Sequence, residues 1–129
     1  MSFGKKLSRF LNNQAVTSDN HWDKELKTHY YKTTKEKGLA KLEEMIRGNQ
    51  NFKIHSVSES HGEISFRIVK GKKAFIIATV IMVRPYQTAI DFTVTSESAF
   101  PYDFGYSSKV VKQLYNRLDK ELQLIDKKN

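Results

Sequence analysis

Four histidines, His21, His29, His55 and His61, are the side chains best suited to hold a metal ion, because neutral imidazole is a common transition-metal ligand. None lies four residues from another, so the paired histidines of a metalloprotease helix are absent. Nearby Asp and Glu residues follow no repeated ligand spacing, and His55 and His61 approach each other only if a hairpin forms between them. No metal is expected. Acid–base or nucleophilic chemistry would fall to Glu63, Asp91, Ser96 and Asp103. No phosphate loop, nucleophile elbow or paired-carboxylate motif organises them, so neither an enzyme nor a cofactor is expected.

Recognition is better represented than reaction. Residues 97–106, ESAFPYDFGY, bring Phe100, Tyr102, Asp103, Phe104 and Tyr106 into one short segment. Rigid aromatic anchors of this kind bind a ligand or partner surface. They serve equally to close the end of a core, with Asp103 or the following serines capping a helix. At the N-terminus, Phe3, Leu7, Phe10 and Leu11 share one face of a short helical pattern, while Lys5, Lys6 and Arg9 occupy the rest. That segment suits an interface with a protein, a second copy included, or with anionic lipid. Arg67, Lys70, Lys72 and Lys73, with Tyr30, Tyr31 and Tyr86, suit single-stranded nucleic acid only if the rings stand exposed along a basic groove.

These groups need a fold to position them, and the chain can supply one. Its 129 residues fit one domain, and a hydrophobic share of 39% provides enough apolar surface to oppose the entropy of ordering. Absence of cysteine excludes disulfides, thiolate metal sites and cysteine nucleophiles. Residues 1–13 lack the continuous apolar stretch of a secretory signal, and the longest apolar run, Ala74–Val83, is too short to span a bilayer. A cytoplasmic chain, peripheral to the membrane at most, is expected. Lys and Arg outnumber Asp and Glu by 22 to 14, and this excess of +8 is spread along the chain, as on a solvated surface.

Residues 1–24 read as the amphipathic segment followed by a flexible connector, and residues 25–129 as the folded domain. Alternation over Leu26, Thr28 and Tyr30 predicts a first strand. Thr33-Thr34-Lys35-Glu36 has capping-box spacing, and Leu39, Leu42, Met45 and Ile46 mark one face of a helix over Thr34–Arg47. Gly38 weakens its interior, and Gly48 suits a left-handed end. Phe52 and Ile54, then Ile64, Phe66 and Ile68, predict two strands. After a hairpin tip at Lys70-Gly71-Lys72, Ala74–Val83 is apolar on both faces and must be covered on both sides or by a partner. Pro85 sets a turn into a strand carrying Ile90, Phe92 and Val94. Ser107 or Ser108 then caps a helix with Val111, Leu114, Leu118, Leu122 and Ile125 on one face. The result is an α+β domain, with an antiparallel four- to five-stranded sheet packed by two helices in the order strand, helix, four strands, helix.

From Ala89 onward the chain resembles the end of a family of small uncharacterised bacterial proteins, which finish with an Asp-bearing strand, a Ser/Arg-rich segment, an Asp-x-Gly turn and a helix. Asp91, Asp103-Phe104-Gly105 and Val110–Leu122 carry the match, while Thr93 and Glu97 stand where the family has arginines. The resemblance implies architecture and no settled activity. The function expected is that of a non-catalytic interaction module binding a protein partner, itself included, or a membrane surface. A small apolar ligand-binding domain and a nucleic-acid-binding domain are the alternatives.

Overall fold

The computed structural model describes residues 14–97 and 105–125. Six strands form one antiparallel sheet: β1 (Gln14–Val16), β2 (His29–Tyr31), β3 (Phe52–Ser58), β4 (Glu63–Ile68), β5 (Ala74–Arg84) and β6 (Gln87–Ser96). Two helices, α1 (Lys35–Arg47) and α2 (Tyr106–Glu121), complete the α+β domain. The expected order of strand, helix, four strands and helix is present, with β1 added ahead of it.

Spatially the sheet runs β1, β6, β5, β4, β3, and β2 also pairs with β6. β1 lies along Thr93–Thr95 of β6 and β2 along Thr88–Ile90. They are two pieces of a single edge strand, interrupted by an excursion over residues 18–27. Residues 14–16 therefore belong to the sheet, although the sequence alone reads them as connector. Thr17 extends the first piece through reciprocal bonds with Phe92, its N–H donating to the Phe92 carbonyl and its hydroxyl accepting from the Phe92 N–H, both at 3.0 Å. After α2, residues 123–125 return in extended form along β2, where the Ile125 N–H donates to the Tyr30 carbonyl at 2.8 Å. The last helix thus stops at Glu121, and Ile125 lies beyond it.

Both helices cover one face. Ile76, Ala78 and Val80 of β5 and Ile90, Phe92 and Val94 of β6 point into this core, meeting Leu42 and Ile46 of α1 and Val111, Leu114 and Leu118 of α2. Each buried Val, Leu, Ile or Phe contributes about 1.5–3 kcal/mol relative to exposure, so this face dominates the fold's stability. Gly38 has a positive use: a Cβ there would stand 3.3 Å from Thr33 Cγ2, with Val80 and Thr88 just beyond, so its absence lets α1 settle closely on the sheet.

Three expected helix ends differ. Thr34, not Thr33, is the N-cap of α1 and accepts from the Lys37 N–H, which leaves Glu36 one position short of a capping box. Gly48 is right-handed at φ −76°, and Asn49 instead turns the chain by accepting from the Asn51 N–H through Oδ1. α2 starts from Gly105 at φ +84° without a side-chain cap, because Ser107 and Ser108 lie inside the helix and are buried.

Candidate functional site

Opposite the helices, the second sheet face is covered by no element among the described residues. On β5 this face carries Phe75 and Ile77, which are half-buried, and Ile81, which is exposed; the register shifts between Met82 and Arg84, and Val83 at that irregularity is exposed too. β4 ends where Glu63 pairs with Thr79, and its turn reaches one residue further as the Val80 N–H donates to the Gly62 carbonyl at 2.7 Å. Beyond that point the β5 edge is open among the described residues, while β6 keeps β2 on its other side as far as Thr88, and the β5–β6 arm closes at the two-residue turn Pro85-Tyr86. Ile81 is 51% exposed, Met82 43%, Val83 49% and Tyr86 59%. Apolar residues clustered on a projecting arm with an open backbone edge differ from singly scattered ones, because together they offer a template for another strand. Tyr86 is also the one non-glycine residue among those described with positive φ, +59°.

A second concave feature lies at the other end of the domain. α1 stops at Arg47, so the first turns of α2 have no helix beside them among the described residues, and a cleft of about 460 Å³ opens between α2, the turn after α1 and the end of β4. Phe52, Ile68, Val110 and Leu114 supply its apolar floor, and Lys70 and Arg117 its cations. Asn49, Asn51, Gln113 and Asn116 complete the wall, and no Asp or Glu lines it among the described residues. Tyr106 closes one side, its hydroxyl donating to the Lys72 carbonyl at 2.6 Å and its ring lying 5.2 Å from Lys72 Nζ.

Two carboxylates join distant segments. Asp91 Oδ1 accepts from the Thr17 hydroxyl at 2.6 Å and the Thr28 hydroxyl at 2.5 Å, holding together the two banks of the broken edge strand. Asp119 Oδ1 accepts from the Tyr31 hydroxyl at 2.5 Å and lies 2.9 Å from His29 Nδ1, while the His29 ring stacks on Tyr115 at 3.6 Å between centroids. Burial, reinforced by the bond to Asp119, pushes the Tyr31 phenol upward. Burial likewise raises Tyr115, whose hydroxyl donates to the Ile90 carbonyl at 2.7 Å. Both shifts favour the protonated phenol, the opposite of what activates a tyrosine as base or nucleophile.

Of the residues singled out as aromatic anchors, Tyr106 is described and lines the cleft, while Phe100, Tyr102, Asp103 and Phe104 lie outside the described residues. The N-terminal Phe3, Leu7, Phe10 and Leu11 also lie outside them. Strand register sets Glu63, Thr79 and Asp91 in one row, placing the two acids roughly 9–10 Å apart at two strand spacings. Ser96 is buried at the far end of β6. His55 meets Ser65 and the edge of Phe75, whereas His61 bonds Ser58, so the hairpin does not join them. The basic and aromatic groups also separate: Tyr31 is fully buried, Tyr30 donates to Asp19, Arg67 pairs with Glu97, and Tyr86 stands at the opposite end of β5 from Lys72 and Lys73. The lining of the cleft is not legible in the sequence, because Asn49, Asn51 and Arg117 read as ordinary surface residues; the apolar pattern of Ala74–Val83 is legible, but not where its edge opens, because β4 gives no sign of stopping short of Ile81. Compared with protein-family models and with curated proteins, the chain matches none of either.

Proposed function

We propose that this chain is an interaction module whose docking element is the β5–β6 arm, and that the occupant is a second copy of the same chain. The observation carrying this reading is the cluster of Ile81, Met82, Val83 and Tyr86 on an arm whose β5 edge has no neighbouring strand among the described residues. Because the Val80 N–H points toward β4, the period of two aims the Met82 N–H and carbonyl out of the same edge. A two-fold axis through Met82, perpendicular to the sheet, lets the two Met82 residues exchange both backbone bonds. It also sets Ile81 of one copy opposite Val83 of the other, the position at which the β5 register shifts. The sheet becomes continuous, and one self-complementary patch serves both partners.

Net charge sets the conditions. Two chains of +8 repel at long range, so added salt should strengthen this association by screening. Sedimentation equilibrium across protein concentration tests the reading. The expected result is a monomer–dimer equilibrium that shifts toward dimer between low and high salt and is lost in Val83→Glu and Ile81→Glu, both at exposed positions that leave the core intact. A chain that stays monomeric at every salt concentration overturns it, as does dimerisation that ignores both substitutions.

A further inference from the structure

We propose that the cleft beside α2 binds a small amphipathic anion, an aromatic or aliphatic molecule bearing one carboxylate or phosphate. Its origin lies in unequal packing. α1 ends at Arg47 and the chain turns away through Asn49–Asn51, so the α2 stripe of Tyr106, Val110, Gln113, Leu114 and Arg117 is left without a helical neighbour among the described residues. These positions recur at intervals of three and four, one face of the helix. The space left, about 460 Å³, is within the range of small-molecule sites.

Lining chemistry selects the ligand. The floor of Phe52, Ile68, Val110 and Leu114 accepts an apolar body. Lys70 stands on the strand side and Arg117 on the helix side, and neither forms an ion pair with a described residue. With no acid among the described lining residues, the field of those residues favours one negative charge held between these cations, and the neighbouring amides of Gln113 and Asn116 add neutral donors. Arg117 offers the planar fork that a carboxylate or phosphate accepts in two bonds. An uncharged ligand of the same shape would gain the floor and lose the rim. This site lies at the far end of the domain from the β5–β6 arm and does not depend on it.

A titration of the full isotope-labelled chain followed by amide NMR tests the proposal, with 2-naphthoate, 2-naphthyl phosphate and neutral 2-naphthol as probes. Naphthoate is expected to give saturable shifts confined to residues 49–52, 68–70 and 106–117, with 2-naphthol about tenfold weaker or more. Stronger binding of the phosphate than of naphthoate would assign the head group to phosphate monoesters, and the reverse to carboxylates. Lys70→Gln and Arg117→Gln, both at exposed positions, should each weaken the anions severalfold while leaving 2-naphthol unchanged. Gln113→Trp should block all three by filling the cleft, with circular dichroism confirming the fold. Equal affinity for 2-naphthol and 2-naphthoate, shifts scattered away from these residues, or anion binding unaffected by both charge substitutions would overturn it.

Discussion

The Tyr31 hydroxyl and Asp119 Oδ1, separated by 88 residues in sequence, meet at 2.5 Å and tie the edge strand β2 to the last turn of α2. Tyr31 is fully buried, so its hydroxyl has exchanged water for this acceptor. Asp119→Ala should therefore lower unfolding free energy by about 1–3 kcal/mol, because it leaves the buried hydroxyl only the long 3.4 Å contact with His29 Nδ1. Asp119→Asn, which keeps an acceptor oxygen, should lose less. Tyr31→Phe removes the donor itself and should fall near 0.5–1.5 kcal/mol. Urea midpoints at constant m-value give this ranking, and an alanine variant as stable as the parent would show that the contact contributes nothing.

Alkaline pH should act through the tyrosines. The Tyr30 phenol is pushed up to about 12, first by donating its hydrogen bond to Asp19, then by burial and the charges of Asp19 and Asp91. Tyr31 and Tyr115 are raised chiefly by burial. A pKa raised on folding means that the native state holds the proton more tightly. The stabilisation is then complete below the unfolded value near 10 and lost as pH climbs from there through the folded values. Urea midpoints should hold level from neutral pH toward 9 on this account and decline above 10. Absorbance at 295 nm should show phenolate from Tyr30 appearing near pH 12, a component that Tyr30→Phe removes.

Two glycines with left-handed backbone should respond differently to the same change. Gly71, at φ +78°, has nothing within 4 Å of a built Cβ, so Gly71→Ala should cost about 1–2 kcal/mol for the backbone alone. Gly62, at φ +64°, would drive its Cβ into the Val80 carbonyl oxygen, which accepts no displacement without parting β5 from the β3–β4 turn. Gly62→Ala should lose distinctly more. Thermal melts of the two variants side by side measure the difference, and equal losses would show that the turn yields freely.

The fold was legible wherever one face of an element meets the core. Ile64, Phe66 and Ile68, or Leu39, Leu42 and Ile46, repeat with the period of their element because burial selects one side. β1 escaped notice because Gln14–Val16 buries Ala15 alone, a single residue without a period. Polar nodes are harder still to read: Thr17, Thr28 and Asp91 converge only because the edge strand breaks, and nothing local to any of the three announces the others. Helix ends failed for a related reason. Thr33 and Thr34 offer the same hydroxyl, and only the position of the sheet beneath Gly38 decides which one caps. The double-faced apolar pattern of Ala74–Val83 was the informative signal for the candidate site, since its outer half, Ile81 and Val83, is the part left without cover among the described residues.

Tyr86 separates folding from association in a single position. Pro85 at the first central place of the turn and positive φ at the second identify a type II turn, which favours glycine or asparagine where this chain has an exposed tyrosine. Left-handed backbone at a bulky residue costs about 1–2 kcal/mol, and asparagine tolerates it better. Tyr86→Asn should thus leave the isolated domain as stable or raise its unfolding free energy by up to about 1 kcal/mol. In the proposed two-fold pairing, Tyr86 abuts the β3–β4 turn of the other copy, because β5 strands can pair only up to the end of β4. The same substitution should then weaken self-association severalfold. Urea unfolding of dilute protein and sedimentation at high salt give the two readouts independently. Opposite signs are the outcome expected of a residue retained for contact at the expense of its own turn, whereas lowered stability with unchanged association would make Tyr86 a structural residue of the arm.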